Sequence, residues 1–253
     1  MKYVRFAQQN KIAYGILEDQ IIHVIDGDLF GEFSLSSQTV NLDAVKLLAP
    51  CTPSKAVCIG LNYHDHAKEM GSPLPKEPLM FIKPSSAITD PDGIIFYPAI
   101  TKNLHYEAEL AVVIKKTAKH VKREQAADYI LGYTCANDVT ARDLQKSDGQ
   151  WTRGKSFDTF LPLGPCIDTE VYPGSLGIKL YLNDEVKQSS NTDQLIFPVP
   201  LLIEKITEVM TLYPGDVILT GTSSGVGPMQ IGDKVIVELQ GIGRLANVIQ
   251  RES

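Results

Sequence analysis

Cysteine is scarce in this chain. Only Cys51, Cys58, Cys135 and Cys166 occur, none in a C-x-x-C pair and none at zinc-site spacing with histidine. A disulfide scaffold and a structural zinc module are not indicated, and four reduced, mostly buried thiols favour a cytoplasmic location. Positive charge is in deficit as well. There are 24 Lys and Arg against 30 Asp and Glu, a formal net charge of −6. That balance offers nothing to attract nucleic acid or an anionic membrane surface, so neither is expected as a partner. An anionic substrate would need a local positive site. Long apolar runs are missing: none approaches the roughly 18 residues of a membrane span. Met1-Lys2-Tyr3-Val4-Arg5-Phe6 lacks the apolar core of a signal peptide.

What is present suffices for a sizeable core. The 253 residues are 43% hydrophobic and 21% charged, as in an ordinary soluble globular protein. The length suits one large domain, or one domain with a small companion. Short alternating runs over residues 1–25, punctuated by Asn10, Asp19 and Asp26-Gly27, read as strands. Residues 42–49 suit a short helix, and Pro50-Cys51-Thr52-Pro53 suits a linker. The spacing therefore predicts a small β-rich N-terminal domain over residues 1–50 and a larger domain over residues 51–253. In the larger domain, Leu110 to Ile114 is apolar on both faces, as a buried strand is. Helical periodicity is clear over 199–211 and weaker over 122–128. The class is α+β and β-rich, with a mixed sheet or a rolled barrel.

Chemistry concentrates in a few segments. In His105-Tyr106-Glu107-Ala108-Glu109-Leu110 the glutamates are two apart, hence on one face of a strand. Two ionised carboxylates beside a buried apolar strand are costly unless a cation or donors compensate them. Oxygen ligands favour Mg²⁺, Mn²⁺ or Ca²⁺ over Zn²⁺. Alone, the pair reads first as a solvated strand face. Asp138, where an apolar run ends, is a candidate third ligand and equally a helix N-cap.

His66 and Glu69 are three apart and so neighbours on a helical turn. A carboxylate beside an imidazole fixes its tautomer and raises its basicity, which suits activation of water. The same spacing also suits a plain surface pair, and His64 with His66 is a weaker metal-binding alternative. Lys155 lies in Trp151-Thr152-Arg153-Gly154-Lys155-Ser156-Phe157, flanked by glycine and aromatics, and alone would read as an exposed lysine. Thr220 to Pro228 is a glycine-rich loop without a following lysine, which disfavours Walker-type nucleotide binding. Its N–H and hydroxyl groups still suit a small carboxylate.

Taken together, G-L-N-Y-x-D-H-x-x-E at 60–69, F-x-K-P-S at 81–85, H-Y-E-A-E-L at 105–110, N-D-V-T-A-R-D-L-Q at 137–145, G-K-S-F-D at 154–158 and T-G-T-x-x-G-V-G at 220–227 resemble the fumarylacetoacetate hydrolase superfamily. The resemblance covers residues 51–253. It implies a rolled mixed sheet and a homodimer. It makes Glu107, Glu109 and Asp138 ligands of Mg²⁺ or Mn²⁺, and His66 with Glu69 a catalytic dyad on a lid. It makes Lys155 an active-site lysine, and Arg142, Gln145 and Thr222 substrate contacts. The first 50 residues match a small accessory domain of prokaryotic members. Leu61 stands where eukaryotic acylpyruvase-like members tend to carry Arg. The function implied is a metal-dependent hydrolase or lyase of small 2-oxo acids: acylpyruvate hydrolysis, oxaloacetate decarboxylation, or both. Isomerisation or hydration of unsaturated 2-hydroxy diacids is the alternative enzyme reading. A non-catalytic 2-oxo-acid or metal binder is the alternative of another class.

Overall fold

The computed structural model describes residues 1–9 and 11–252. Strands dominate it, in mixed sheets, as the alternating runs predict. The largest sheet has twelve strands. Its main path runs Phe33–Asn41, Ile21–Gly27, Lys11–Glu18, Lys2–Gln8, Leu161–Asp168, Ile130–Asn137, Ala108–Ile114, Val217–Thr222, Lys55–Gly60 and Leu79–Pro84. Neighbours along that path are antiparallel except Val217–Thr222 beside Lys55–Gly60, which is parallel. Five strands form a second sheet, in the order Glu185–Asn191, Gly177–Leu182, Lys234–Leu239, Gly243–Arg251 and Ile94–Tyr97.

Ala108–Ile114 is buried at every residue. Side chains alternate across a strand, so its two faces feed two cores. Leu110, Val112 and Ile114 pack into the core that holds Ile178, Leu180, Val235 and Val237 of the second sheet. Ala111 and Val113 join Ala56, Cys58, Leu161 and Leu163 in the other. Burial on both faces is why this strand reads as an unbroken apolar run. Each large aliphatic side chain so buried contributes about 1.5–3 kcal/mol.

The first 50 residues extend the same large sheet. Lys2 and Tyr3 pair with Asp168 and Ile167. Pro50, Cys51 and Pro53 of the expected linker are buried, and the chain beyond it is pinned by the buried Asp216. That carboxylate accepts the N–H groups of Ser54, Lys55 and Tyr213 and the Ser54 hydroxyl, and pairs with Lys55 Nζ at 2.5 Å.

The short helix expected over 42–49 does not form. Asn41 accepts the Asp43 N–H and caps a single 3-10 turn, Leu42–Ala44. The chain then pairs Lys46–Leu48 with Arg5–Ala7. Edge pairing with a neighbouring strand outcompetes a helix too short to bury a face. Among the described residues the α-helices are α1 (His64–Glu69), α2 (Arg142–Asp148), α3 (Thr152–Lys155) and α4 (Val199–Val209). In α4, Pro200 sits in the first turn, where a missing N–H costs nothing. Val199, Leu202, Ile203 and Ile206 form its buried face, whereas Val209 at its end is exposed. The weaker helical pattern over 122–128 becomes a 3-10 helix, Arg123–Tyr129, packed against α4.

Candidate active site

Glu107 occupies a one-residue break. Leu104–Tyr106 before it belongs to a small three-stranded sheet, and Ala108–Ile114 after it belongs to the large one. The glutamate pair thus spans a junction between sheets rather than lying on one strand. The Glu107 N–H donates to Asn137 Oδ1 at 2.9 Å, and the Asp138 N–H donates to the Glu107 carbonyl at 2.9 Å. These bonds seat Asp138 beside Glu107, although 30 residues separate the segments that carry them. Asp138 is no helix cap, since α2 begins at Arg142 after Ala141. Glu107, Glu109 and Asp138 are all buried, and each offers an oxygen within 4.8 Å of the others.

Cations from three elements meet this acid cluster. Lys155, the last residue of α3, donates to Glu107 Oε2 at 2.8 Å and to Asp138 Oδ2 at 2.5 Å. Lys83 donates to Asp138 Oδ1 at 2.5 Å and to the Val139 carbonyl at 3.0 Å. Arg142 pairs with Glu107 and donates to Gln145 Oε1 at 2.6 Å. Glu109 has no ion-pair partner among the described residues; it accepts the Gly221 N–H at 2.6 Å. Burial alone would raise the Glu107 carboxyl, but Lys155 and then Arg142 outweigh it and hold it well below the usual range. Burial, then the charges of Asp138 and Glu107, push Glu109 well above that range. Burial would lower the Lys155 ammonium, but Asp138 and Glu107 raise it. Burial lowers Lys83, with Asp138 offsetting only part of the effect.

This donor set suits a hard divalent cation. It is all carboxylate oxygen, and a bound cation would favour the ionised form of the buried Glu109, which has no ion-pair partner among the described residues. On chemical grounds the three acids are therefore a candidate metal centre.

On α1, His66 Nδ1 lies 2.9 Å from Glu69 Oε2, which leaves Nε2 as the ring nitrogen free of that pair. The glycine-rich loop holds the helix in place. The Gly225 N–H donates to Glu69 Oε1 at 3.0 Å, and the Ser224 N–H donates to Asp65 Oδ1 at 3.3 Å. Ser190 Oγ donates to Asp65 Oδ2 at 2.5 Å. Two N–H groups of the loop, those of Gly221 and Gly225, are thus engaged by Glu109 and Glu69 and not left for a substrate carboxylate. Gly221 and Gly225 have φ of +97° and +92°, where glycine is favoured.

One cavity of about 580 Å³ gathers His66, Glu69, the three carboxylates and Lys155. Arg142, Gln145 and Thr222 also line it. The nine residues that the resemblance assigns to the site therefore line one cavity, whereas His64 does not line it. The Thr222 hydroxyl donates to the Ala108 carbonyl at 2.9 Å and accepts from Gln188 Nε2 at 2.8 Å, so it also braces the loop. Lys155 is 2% exposed, not the surface lysine its flanking sequence alone suggests.

Lys83, Asp65 and the aromatic pair Phe81 and Trp151 went without a role in the sequence. Lys83 had two signals, the K of F-x-K-P-S and its place as a lone lysine in the apolar strand Leu79–Pro84. Nothing near it in sequence shows that its partner is Asp138, 55 residues away.

Comparison with known proteins agrees with the geometry. The fumarylacetoacetate (FAA) hydrolase C-terminal family model matches residues 55–250, and an Rv2993c-like N-terminal model matches residues 1–50. The mitochondrial oxaloacetate tautomerase Fahd2a of Rattus norvegicus is 44% identical over 217 residues, covering 81% of this chain and 69% of that protein. The crystal structure of 2-hydroxyhepta-2,4-diene-1,7-dioate isomerase from Mycobacterium marinum superposes with a TM-score of 0.93 at 42% identity, covering 100% of this chain and 99% of the other. Maleylpyruvate hydrolase from Sphingobium sp. SYK-6, in complex with manganese(II) and pyruvate, gives a TM-score of 0.84 at 29% identity over 100% of both chains.

Proposed function

Because the chain belongs to the fumarylacetoacetate hydrolase C-terminal domain family, we propose that it is a divalent-cation-dependent enzyme of small 2-oxo acids, hydrolysing acylpyruvate C–C bonds or decarboxylating oxaloacetate. The observation that carries this is the shared cavity: a histidine–glutamate pair and three buried carboxylates face the same space. The manganese and pyruvate held by the maleylpyruvate hydrolase support the reading.

Glu107, Glu109 and Asp138 would hold Mg²⁺ or Mn²⁺, which supplies Lewis-acid charge neutralisation at neighbouring carboxylate and oxo oxygens. Lys155 and Arg142 add positive charge at the rim of the acid cluster, where negative charge develops on a 2-oxo oxygen as the C–C bond breaks. Glu69 orients His66 through Nδ1, leaving Nε2 to take a proton from water. Gly225 keeps Glu69 in place for that task. Decarboxylation needs no attacking water and so makes less demand on the dyad.

A second reading has its own support. Relatives with 44% and 42% identity are named as an oxaloacetate tautomerase and a dienedioate isomerase. Proton transfer by His66, taking a proton from one carbon or oxygen of the substrate and returning one at another with no C–C bond broken, would serve such a reaction. A homodimer and a cytoplasmic location complete the proposal. Among the described residues no helix is long and apolar enough to cross a membrane.

The test is a screen of oxaloacetate, acylpyruvates and unsaturated 2-hydroxy diacids with Mg²⁺ or Mn²⁺. Pyruvate release that stops with EDTA supports cleavage. A spectral change without pyruvate moves the assignment to tautomerisation or isomerisation. No turnover of any of them in the presence of metal would leave a binder. Sedimentation of the same preparation reads the oligomeric state.

A further inference from the structure

The cavity extends well past what a three-carbon 2-oxo acid fills, and that extra space is not walled like the acid cluster. From Lys155 the wall continues into aromatic rings. Lys155 Nζ lies 5.0 Å from the Phe81 ring centroid, and the Phe81 centroid lies 5.2 Å from that of Trp151, edge to face at 71°. Trp151 is the single tryptophan of the chain. It can lie where it does because residue 60 has no side chain. A Cβ on Gly60 would stand 2.6 Å from Trp151 Cζ3 and 2.8 Å from Cη2. Leu61 and Met70 line the same space. Leu61 adopts φ +45°, a conformation uncommon for a side chain of its kind and one that marks a constrained site.

The cations of the acid cluster are not free to serve this part of the cavity. Arg142 and Lys155 are engaged by Glu107 and Asp138. Lys146 lines the cavity without an ion-pair partner among the described residues, but its residue is exposed. A charged distal group would leave water for a surface of rings and aliphatic chains. A planar apolar group would stack against it.

We propose that Phe81 and Trp151, seated over Gly60, form a distal subsite that selects 2-oxo acids carrying a planar, uncharged, unsaturated or aromatic group beyond the oxo-acid head. This inference rests on the 2-oxo-acid reading of the same cavity and adds the class of substituent.

The test uses unreactive ligands with one common head and needs no turnover. Oxamate, N-phenyl oxamate and N-carboxymethyl oxamate are titrated into the Mg²⁺-loaded protein by calorimetry, with Trp151 fluorescence as a second signal. N-phenyl oxamate should bind at least about tenfold more tightly than oxamate, from burial of an aromatic ring. It should also shift the Trp151 emission, while N-carboxymethyl oxamate gains less than about threefold. In Trp151→Ala and in Phe81→Leu the ratio of N-phenyl to unsubstituted affinity should fall towards one. Gly60→Ala, which keeps both rings but displaces Trp151, should lower it too. Trp151→Phe should retain part of it, which separates loss of the ring from loss of folding. Oxamate binding with a wild-type ratio near one, or with the carboxymethyl ligand preferred, overturns the subsite and leaves the proposed function standing. No oxamate binding in the presence of Mg²⁺ overturns both.

Discussion

Replacing Lys83 by methionine isolates the electrostatics of the acid cluster. The substitution keeps an unbranched side chain of similar length, so the packing near Phe160, whose ring centroid lies 5.9 Å from Nζ, changes little. What disappears is a fully buried ammonium with two acceptors, Asp138 Oδ1 and the Val139 carbonyl. Lys155 still compensates Asp138 Oδ2, but three buried carboxylates then share Lys155 and Arg142 alone. Breaking one side of a buried pair costs about 3–5 kcal/mol. For a chain of this size each kcal/mol moves Tm by about 2–4 °C, so a fall of roughly 6–20 °C is expected in EDTA. Thermal and urea unfolding, each with EDTA and with saturating Mg²⁺, measure it. Because Mg²⁺ would restore positive charge where Lys83 removed it, the metal should raise Tm more in Lys83→Met than in wild type. Lys116→Met is the control. That ammonium sits 4.5 Å from the Tyr129 ring centroid at an exposed residue, and its loss should cost less than about 1 kcal/mol. A Lys83→Met protein that melts within 2 °C (about 1 kcal/mol) of wild type in EDTA would refute the claim that Lys83 compensates the cluster.

Three further outcomes follow from the same geometry. His66→Ala should slow acylpyruvate hydrolysis roughly 100-fold or more while affecting oxaloacetate decarboxylation less; equal losses on both substrates would remove the division of roles. Glu109→Ala should lower calorimetric Mg²⁺ affinity at least about tenfold and abolish turnover, whereas full wild-type activity in EDTA would end the metal assignment. Asp216→Ala removes the acceptor of five hydrogen bonds at the start of Lys55–Gly60. It should cost about 3 kcal/mol or more in urea unfolding and leave kcat unchanged below the melting transition.

Much of the fold could be read from local pattern, and the exceptions are instructive. Period-two alternation and turn residues marked the N-terminal strands, and the apolar stripe of α4 marked that helix, because both signals are written into adjacent residues. The segment 42–49 has helical spacing, yet its outcome depends on a partner strand near the N-terminus, and pairing is a non-local matter. The end of α4 shows the same limit. Val209 continues the apolar period but sits past the packed face and is exposed.

The site divides in the same way. Local sequence supplied the residue types: paired glutamates, an aspartate at the end of an apolar run, a histidine three residues before a glutamate, and a lysine between aromatics. Motif resemblance supplied their grouping, since spacing left each open to an ordinary structural role. Three-dimensional packing is what makes Glu107 bridge two sheets, leaves Glu109 without an ion-pair partner among the described residues, and brings two lysines from distant elements onto the two oxygens of Asp138. It also decided that Gly60 lets Trp151 close over the cavity beside Phe81. The physical reason is range. Secondary-structure preferences act over a few residues. Charge compensation and ring packing act over a few ångströms of space, between segments that the sequence places 17 to 91 positions apart, as for Asp138–Lys155 and Gly60–Trp151.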